Sequence, residues 1–338
     1  MLSRVAESIY WMSRYMERAE NVARIVDVNL QLLLDQPGGT SAQWAPLVAI
    51  TGDDELFKER YGSASRKSVI QFLTFDADYP SSILSCLRAA RQNARSIREI
   101  ISSEMWEQVN KSFLMVSEAA ASGTALDSPY DFFTAVKDAS HLFVGVTYLT
   151  MTHNEAWHFG RLGRLLERAD KTSRLVDVKY FLLLPEVSDV NSTYDDIQWG
   201  ALLKSASALE MYRKAHGRIL PQTVIEFLLL DRRFPRSWVY CLLKARKSLH
   251  AITQNPFDAP RTSAEEQLGQ LIAEVEGWSI RDIVQDGVHQ RLDAAQSRLN
   301  GVGDAIYETF FAPRPLPEPS EPPASSPPPS QQQRQSSG

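Results

Sequence analysis

Two short stretches of this 338-residue chain carry charges at spacings that could do chemistry. The first holds Arg14, Glu17, Arg18, Glu20 and Arg24; the second holds Arg164, Glu167, Arg168, Asp170 and Arg174. On a helix, Arg14 and Glu17 are neighbours at i,i+3, and Glu20 and Arg24 at i,i+4; the second stretch repeats both relations. Three kinds of chemistry fit. Glu17 and Glu167, shifted by burial, could serve as general base or acid. The arginines could clasp a carboxylate or phosphate, which suits the planar guanidinium fork. Or the charges could pair among themselves, as a solvated salt-bridge face or as a buried network that fixes helix register. A metal is not expected. Di-metal bundles place Glu-x-x-His on facing helices, and here Glu17 is followed by Glu20, with arginines that repel a cation. No cofactor is expected either.

A second cationic feature is a stripe, Arg88, Arg91, Arg95 and Arg98, at i, i+3, i+7 and i+10. It reads as a solvated face, as a partner for Glu17 and Glu20, or as an anion-binding groove. No aromatic residues interleave it, which argues against single-stranded nucleic acid, as does a net charge of −5. Other candidates are weaker. His153 and His158 do not form a zinc-protease pattern. Cys86 and Cys241 read as small apolar residues inside helices. Gly301-x-Gly303 is a lone fragment, and no serine elbow occurs.

The elements that carry these groups repeat. Residues 13–35 and 163–185 match at 11 of 23 positions with an offset of 150, where average composition gives about one or two. Residues 69–91 and 224–246 match at 11 of 23 with an offset of 155. Trp44 pairs with Trp199 and Gly62 with Gly217. Every strong period is helical. Val5, Ile9, Met12, Met16, Ala19, Ala23, Val26, Leu30 and Leu33 form one apolar stripe, opened by Ser3 as cap and stopped by Pro37-Gly38-Gly39. Its twin opens with Thr152 and Glu155 at capping-box spacing and stops at Pro185. Each of these helices spans about 30 residues, well above the usual length. After Asp76 the chain breaks and restarts with Pro80 in the first helical turn, running to about Ile101. A last helix covers Gln285–Phe311. From Pro313 the chain turns to proline, serine and glutamine, a composition that reads as disordered. The expected architecture is all-α: two tandem helical units, about 1–150 and 151–312, in one bundle-like domain, with a tail over 313–338. Two cysteines, no basic-then-apolar leader and no bilayer-length apolar run point to a reducing, cytoplasmic setting without membrane contact.

The segments LSRVAESIYWMSRYMERAENVARIVDV, FDADYPSSILSCLRAARQNARSIREIISSEMWEQVN and LGRLLERADKTSRLVDV closely resemble the alpha-E domain family, over about residues 1–311. The matching positions include every charged residue of the two clusters, and also Arg4, Glu7, Trp11, Asp76, Pro80, Ser82, Arg91, Arg95, Arg98, Trp106 and Asn110. The resemblance implies an all-helical domain. It also implies a setting, since the family is similar to proteins fused to, or encoded beside, circularly permuted ATP-grasp ligases and transglutaminase-like peptidases. The expected partner is therefore a protein of one of those two kinds, in a system that makes or modifies peptides or amides. The expected role is an accessory that binds an anionic ligand or partner through Arg14, Arg18, Arg24, Arg91, Arg95 and Arg98 with their Glu partners, and through the twin cluster. Two rivals stand beside it: a stand-alone enzyme using Glu17 and Glu167, and a purely structural scaffold.

Overall fold

The computed structural model describes residues 1–34, 44–123, 128–183 and 193–313. The expected stops at Pro37-Gly38-Gly39 and Pro185, and the tail beyond Pro313, lie outside the described residues. Within them the chain is all helix, with no strand. The first half contains α1 (Ser3–Leu34), α2 (Ala45–Ala49), α3 (Asp54–Tyr61), α4 (Arg66–Ile70, continued by a π turn over Gln71–Phe75), α5 (Ile83–Ser96), α6 (Ser103–Ser122) and α7 (Pro129–Thr150). The second contains α8 (Glu155–Leu183), α9 (Thr193–Ser205), α10 (Leu209–His216), α11 (Pro221–Leu230), α12 (Trp238–Thr253), α13 (Ser263–Glu276), α14 (Ile280–Asp286) and α15 (Val288–Ile306, continued by a π turn over Tyr307–Phe311). No helix among the described residues is long and apolar enough to cross a membrane.

The two long helices, α1 and α8, form the centre. Their contacts climb together along both chains: Gly160 packs on Ile9 and Ser13, Gly163 on Tyr10, and Glu167 reaches Arg14 and Arg18. The helices therefore run in the same direction, residue i near residue i+150. Gly160 and Gly163 permit the approach, because a Cβ on Gly163 would collide with the Tyr10 carbonyl and one on Gly160 would press on Ser13 Oγ at 2.9 Å. Around this pair, α5 and α7 pack on α1, while α12 and α15 pack on α8. The apolar stripe read in α1 is the core: Ile9, Met12, Met16, Ala19, Ala23 and Val26 are fully buried.

The same local bonds recur 155 residues apart. Asp76 Oδ1 accepts the backbone N–H groups of Asp78 and Tyr79 at 2.9 and 3.2 Å, and Asp231 Oδ1 accepts those of Arg233 and Phe234 at 2.7 Å. Ser82 and Ser237 each donate to that aspartate's carbonyl and accept from the first helical turn. Gly62 and Gly217 end α3 and α10 at φ of 72° and 74°, a region that disfavours any side chain. The structure shifts several expected boundaries. Pro80 lies in the turn, not in the helix; Ser82 is the true cap, because only its hydroxyl reaches the Ser85 N–H. That helix ends at Ser96 rather than Ile101. Asn154, not Thr152, caps α8 through bonds to the Ala156 and Trp157 N–H groups. Ser3 is already helical. The final helix starts at Val288 rather than Gln285, because Gly287, at φ of 92°, parts it from α14.

Candidate functional site

The two charge clusters meet face to face between α1 and α8. Arg18 grips Glu167 with two parallel bonds, Nε to Oε1 at 2.6 Å and Nη2 to Oε2 at 3.0 Å. Arg168 grips Glu17 the same way, at 2.7 Å for both bonds. Each Glu-Arg dipeptide thus gives its acid to the other and takes the other's base. Arg14 Nε adds a third bond to Glu167 at 2.9 Å, and its Nη1 reaches the Tyr10 hydroxyl at 3.1 Å. Glu17 receives Arg236 Nη1 at 3.1 Å, while Arg236 Nη2 continues to Glu20 at 3.0 Å. Glu20 also pairs with Arg24, and the ring of His141 lies 3.5 Å away. Asp170 accepts from Arg174 Nε at 2.8 Å and from Lys171 at 2.9 Å.

Burial decides what this arrangement can do. Glu17 and Glu167 are 2% and 0% exposed, so neither presents its carboxylate to a ligand. Burial by itself would raise their pKa values. The charges of Arg168 and Arg236 on Glu17, and of Arg18 and Arg14 on Glu167, outweigh it and hold both well below the usual carboxylate range. A group fixed as an anion is a poor general acid, and one capped by bidentate arginines is a poor base. The geometry therefore favours a network that sets helix register over acid–base chemistry. Cys86 and Cys241 are free and buried, pushed by burial up to about 12, which makes poor nucleophiles.

The network is not neutral. Arg14, Arg18, Arg24, Arg164, Arg168, Lys171, Arg174 and Arg236 stand against only Glu17, Glu20, Glu167 and Asp170. The surplus shows in individual groups. Arg236 is lowered to about 10 by burial and by the charge of Arg168, and Arg24 lies well below its usual value through burial and Arg236.

Beside the network is a cavity of about 340 Å³ between α1, α8 and α15. Arg14 and Asp170 form its charged wall; Tyr10, Trp11, Tyr307 and Phe311 form its aromatic walls; Asn300 and Asp304 stand at its rim. Arg14 lies over the rings of Trp11 and Tyr10 at 4.9 and 5.6 Å. This is the volume and the mix of rings and a few polar groups that small-molecule sites use.

The arginine stripe does not join the cluster, and Arg98 falls in the turn after α5. Arg91 Nε bonds Asn110 Oδ1 at 2.7 Å and its guanidinium lies over Phe113; Arg98 lies over Trp106 at 5.0 Å; Arg95 is exposed. The aromatic rings absent from the stripe's own helix come from α6. Arg236 takes the place beside Glu17 and Glu20 that one of the three readings gave to the stripe. It follows Pro235 where the first repeat has Ser81, whose hydroxyl accepts from Arg18 at 3.3 Å. Comparing the repeats at that position would have found it. Lys171 and Tyr10 carry no such signal.

Curated relatives include an uncharacterised protein of Mycobacterium bovis and two of Mycobacterium tuberculosis, each 23% identical over 331 residues, covering 91% of this chain and 37% of the relative. The chain therefore spans little more than a third of those relatives' length. No solved structure matches. A family model described as a predicted alpha-helical domain with a conserved ER motif matches residues 1–311. Glu17-Arg18 and Glu167-Arg168, which exchange partners at the centre of the fold, are Glu-Arg dipeptides of the kind that description names, and the chain belongs to the Alpha-E family.

Proposed function

We propose that this protein is a binding component, not a catalyst, of a cytoplasmic system that forms or modifies peptide or amide bonds, working beside an ATP-grasp-type ligase or a transglutaminase-like protein. The observation that carries this reading is the cavity walled by Arg14 and Asp170. The buried Glu-Arg exchange holds α1 and α8 rigid, and rigid elements are what a precise site needs. Arg14 offers a carboxylate-binding edge, Asp170 and Asp304 offer acceptors for an ammonium group, and four aromatic rings take an apolar side chain. An amino acid or the end of a short peptide fits that set. The family resemblance supplies the setting. The greater length of the relatives supports a unit that works with other domains or partners.

The test has two parts. Calorimetric titration of a panel of amino acids and dipeptides is expected to give one-site binding that Gly303→Trp, which fills the cavity, removes. Co-purification from the host is expected to bring down a ligase-type or transglutaminase-like partner. No binding by any panel member, together with no such partner, sinks the proposal. The burial of Glu17 and Glu167 favours a second reading, a purely structural role for the network itself. It predicts that Glu17→Gln unfolds the protein without a separable loss of binding.

A further inference from the structure

Arg14 and Arg164 occupy the same place in the two repeats and have different surroundings. Arg14 is bonded to Glu167 and Tyr10. Arg164 has no carboxylate in hydrogen-bond reach, and its buried Nε has no acceptor among the described residues. A buried charged donor left unsatisfied costs at least as much as a neutral one. Burial first, then the charge of Arg168, lowers Arg164 to about 10. The group is short of an anion.

The structure around it has room for a small one. Arg164 lines a notch of about 20 Å³ between α7 and α8, with Ser13, Thr147, Gly160 and Arg161. That is space for one water-sized group, so a single carboxylate oxygen can enter while the rest of the ligand stays at the open mouth. Gly160 contributes no side chain, and no carboxylate lines the notch. Arg161 sits one turn before Arg164, its guanidinium 5.3 Å from the ring centre of Trp157 and its Nη1 on Ser248 Oγ at 3.2 Å. The Thr147 hydroxyl spends its proton on the Phe143 carbonyl, so Ser13 and the arginines are the donors. The rim is open at Tyr148, which lines the notch and is 60% exposed.

We infer that this notch is a carboxylate site, in which Arg164 and Arg161 take the acid group of a ligand whose apolar part lies on the exposed Tyr148. The chemistry is shared by a free small carboxylate and by the carboxylate of a peptide. The site goes beyond the cavity beside Arg14 and does not depend on what that cavity binds.

Isothermal titration at fixed ionic strength tests it with three probes: acetate, N-acetyl-leucine and N-acetyl-leucinamide. N-acetyl-leucine is expected to bind one to one, about tenfold tighter than acetate if its apolar part adds about 1.4 kcal/mol. The uncharged amide is expected not to bind. Arg164→Met is expected to abolish binding while melting no lower than wild type. Tyr148→Ala, at an exposed position that cannot unfold the protein, is expected to weaken N-acetyl-leucine and leave acetate unchanged. Equal affinity for acetate and N-acetyl-leucine, both lost in Arg164→Met, supports the site and assigns it to free small carboxylates. Binding of the amide, binding that survives Arg164→Met, no saturable heat with either acid, or full displacement by chloride overturns it. Amino-acid binding in the cavity beside Arg14 is expected to survive Arg164→Met, so the two readings fail separately.

Discussion

The two sides of the central helix pair start from nearly the same residues and end differently. On the α15 side, Arg14 is drawn inward by Glu167, and the rings of Tyr10, Trp11, Tyr307 and Phe311 leave a wide cavity. On the α7 side, Gly160 and Arg161 stand where Tyr10 and Trp11 stand, Arg164 finds no acid, and only a narrow notch remains. Arg236 explains the difference, since it donates to Glu17 from the turn before α12 while its counterpart in the first repeat is Ser81. One substitution between repeats thus frees one arginine and leaves its twin tied. Matched sequence does not mean matched chemistry when the third partner differs.

The comparison can be broken most severely at its shared centre. Glu167→Gln strands Arg14 and Arg18 in the interior and is expected to cost about 3–5 kcal/mol by urea denaturation. Glu17→Gln is expected to cost a similar amount, and adding Arg168→Met to it should recover part of the loss, because an apolar replacement of a buried pair is tolerated better than half a pair. Acid gives the same reading without mutation. Both glutamates have folded pKa values below their unfolded ones, so their stabilisation is complete above about 4.3 and is lost as pH falls below it. Melting temperature measured from neutral pH downward should fall steeply there, and less steeply in Glu17→Gln. Next in size, Gly163→Ala is expected to destabilise by about 1–3 kcal/mol through overpacking against the Tyr10 backbone. Gly160→Ala should cost less, because the flexible Ser13 hydroxyl can turn away; equal costs would show that the two glycines are not seated differently. The last pair of substitutions separates the twins. Arg14→Met should lose about 1.5–3 kcal/mol as a charge-assisted bond is removed, whereas Arg164→Met should be neutral or stabilising. Equal losses in the two would erase the asymmetry on which the notch rests.

Much of this was readable from residue order. The helical period of Ile9, Met12, Met16 and Ala23 marks a buried stripe because a 3.6-residue repeat points them to one side. The pairing of the two clusters across the repeats was open to inference, since exposed charges gain too little to stay matched. Which acid takes which base was not. Reciprocal exchange depends on α1 and α8 running alongside each other in register, and that is set by Gly160 and Gly163, whose meaning lies in the partner helix. The surroundings of Arg91 and Arg98 were hidden for the same reason: a stripe of arginines does not say which neighbour covers it, and here α6 supplies Trp106, Asn110 and Phe113. The caps moved by two residues because several serines, threonines and asparagines compete near each helix start, and hydroxyl or amide reach selects among them.

The exchange of Glu-Arg dipeptides has a consequence for assembly. It is self-complementary: two copies of α1, or two of α8, could make the same four bonds between them. Charge alone therefore cannot tell one long helix from the other. What distinguishes them is relief. Tyr10 and Ser13 project from α1 where Gly163 and Gly160 recess α8. Two α1 helices would set tyrosine against serine with no hollow to receive either, and two α8 helices would leave glycine facing glycine across an empty seam. The chain is in effect an obligate heterodimer carried on one polypeptide, with ion pairs that would accept any sibling and a steric key that admits only one.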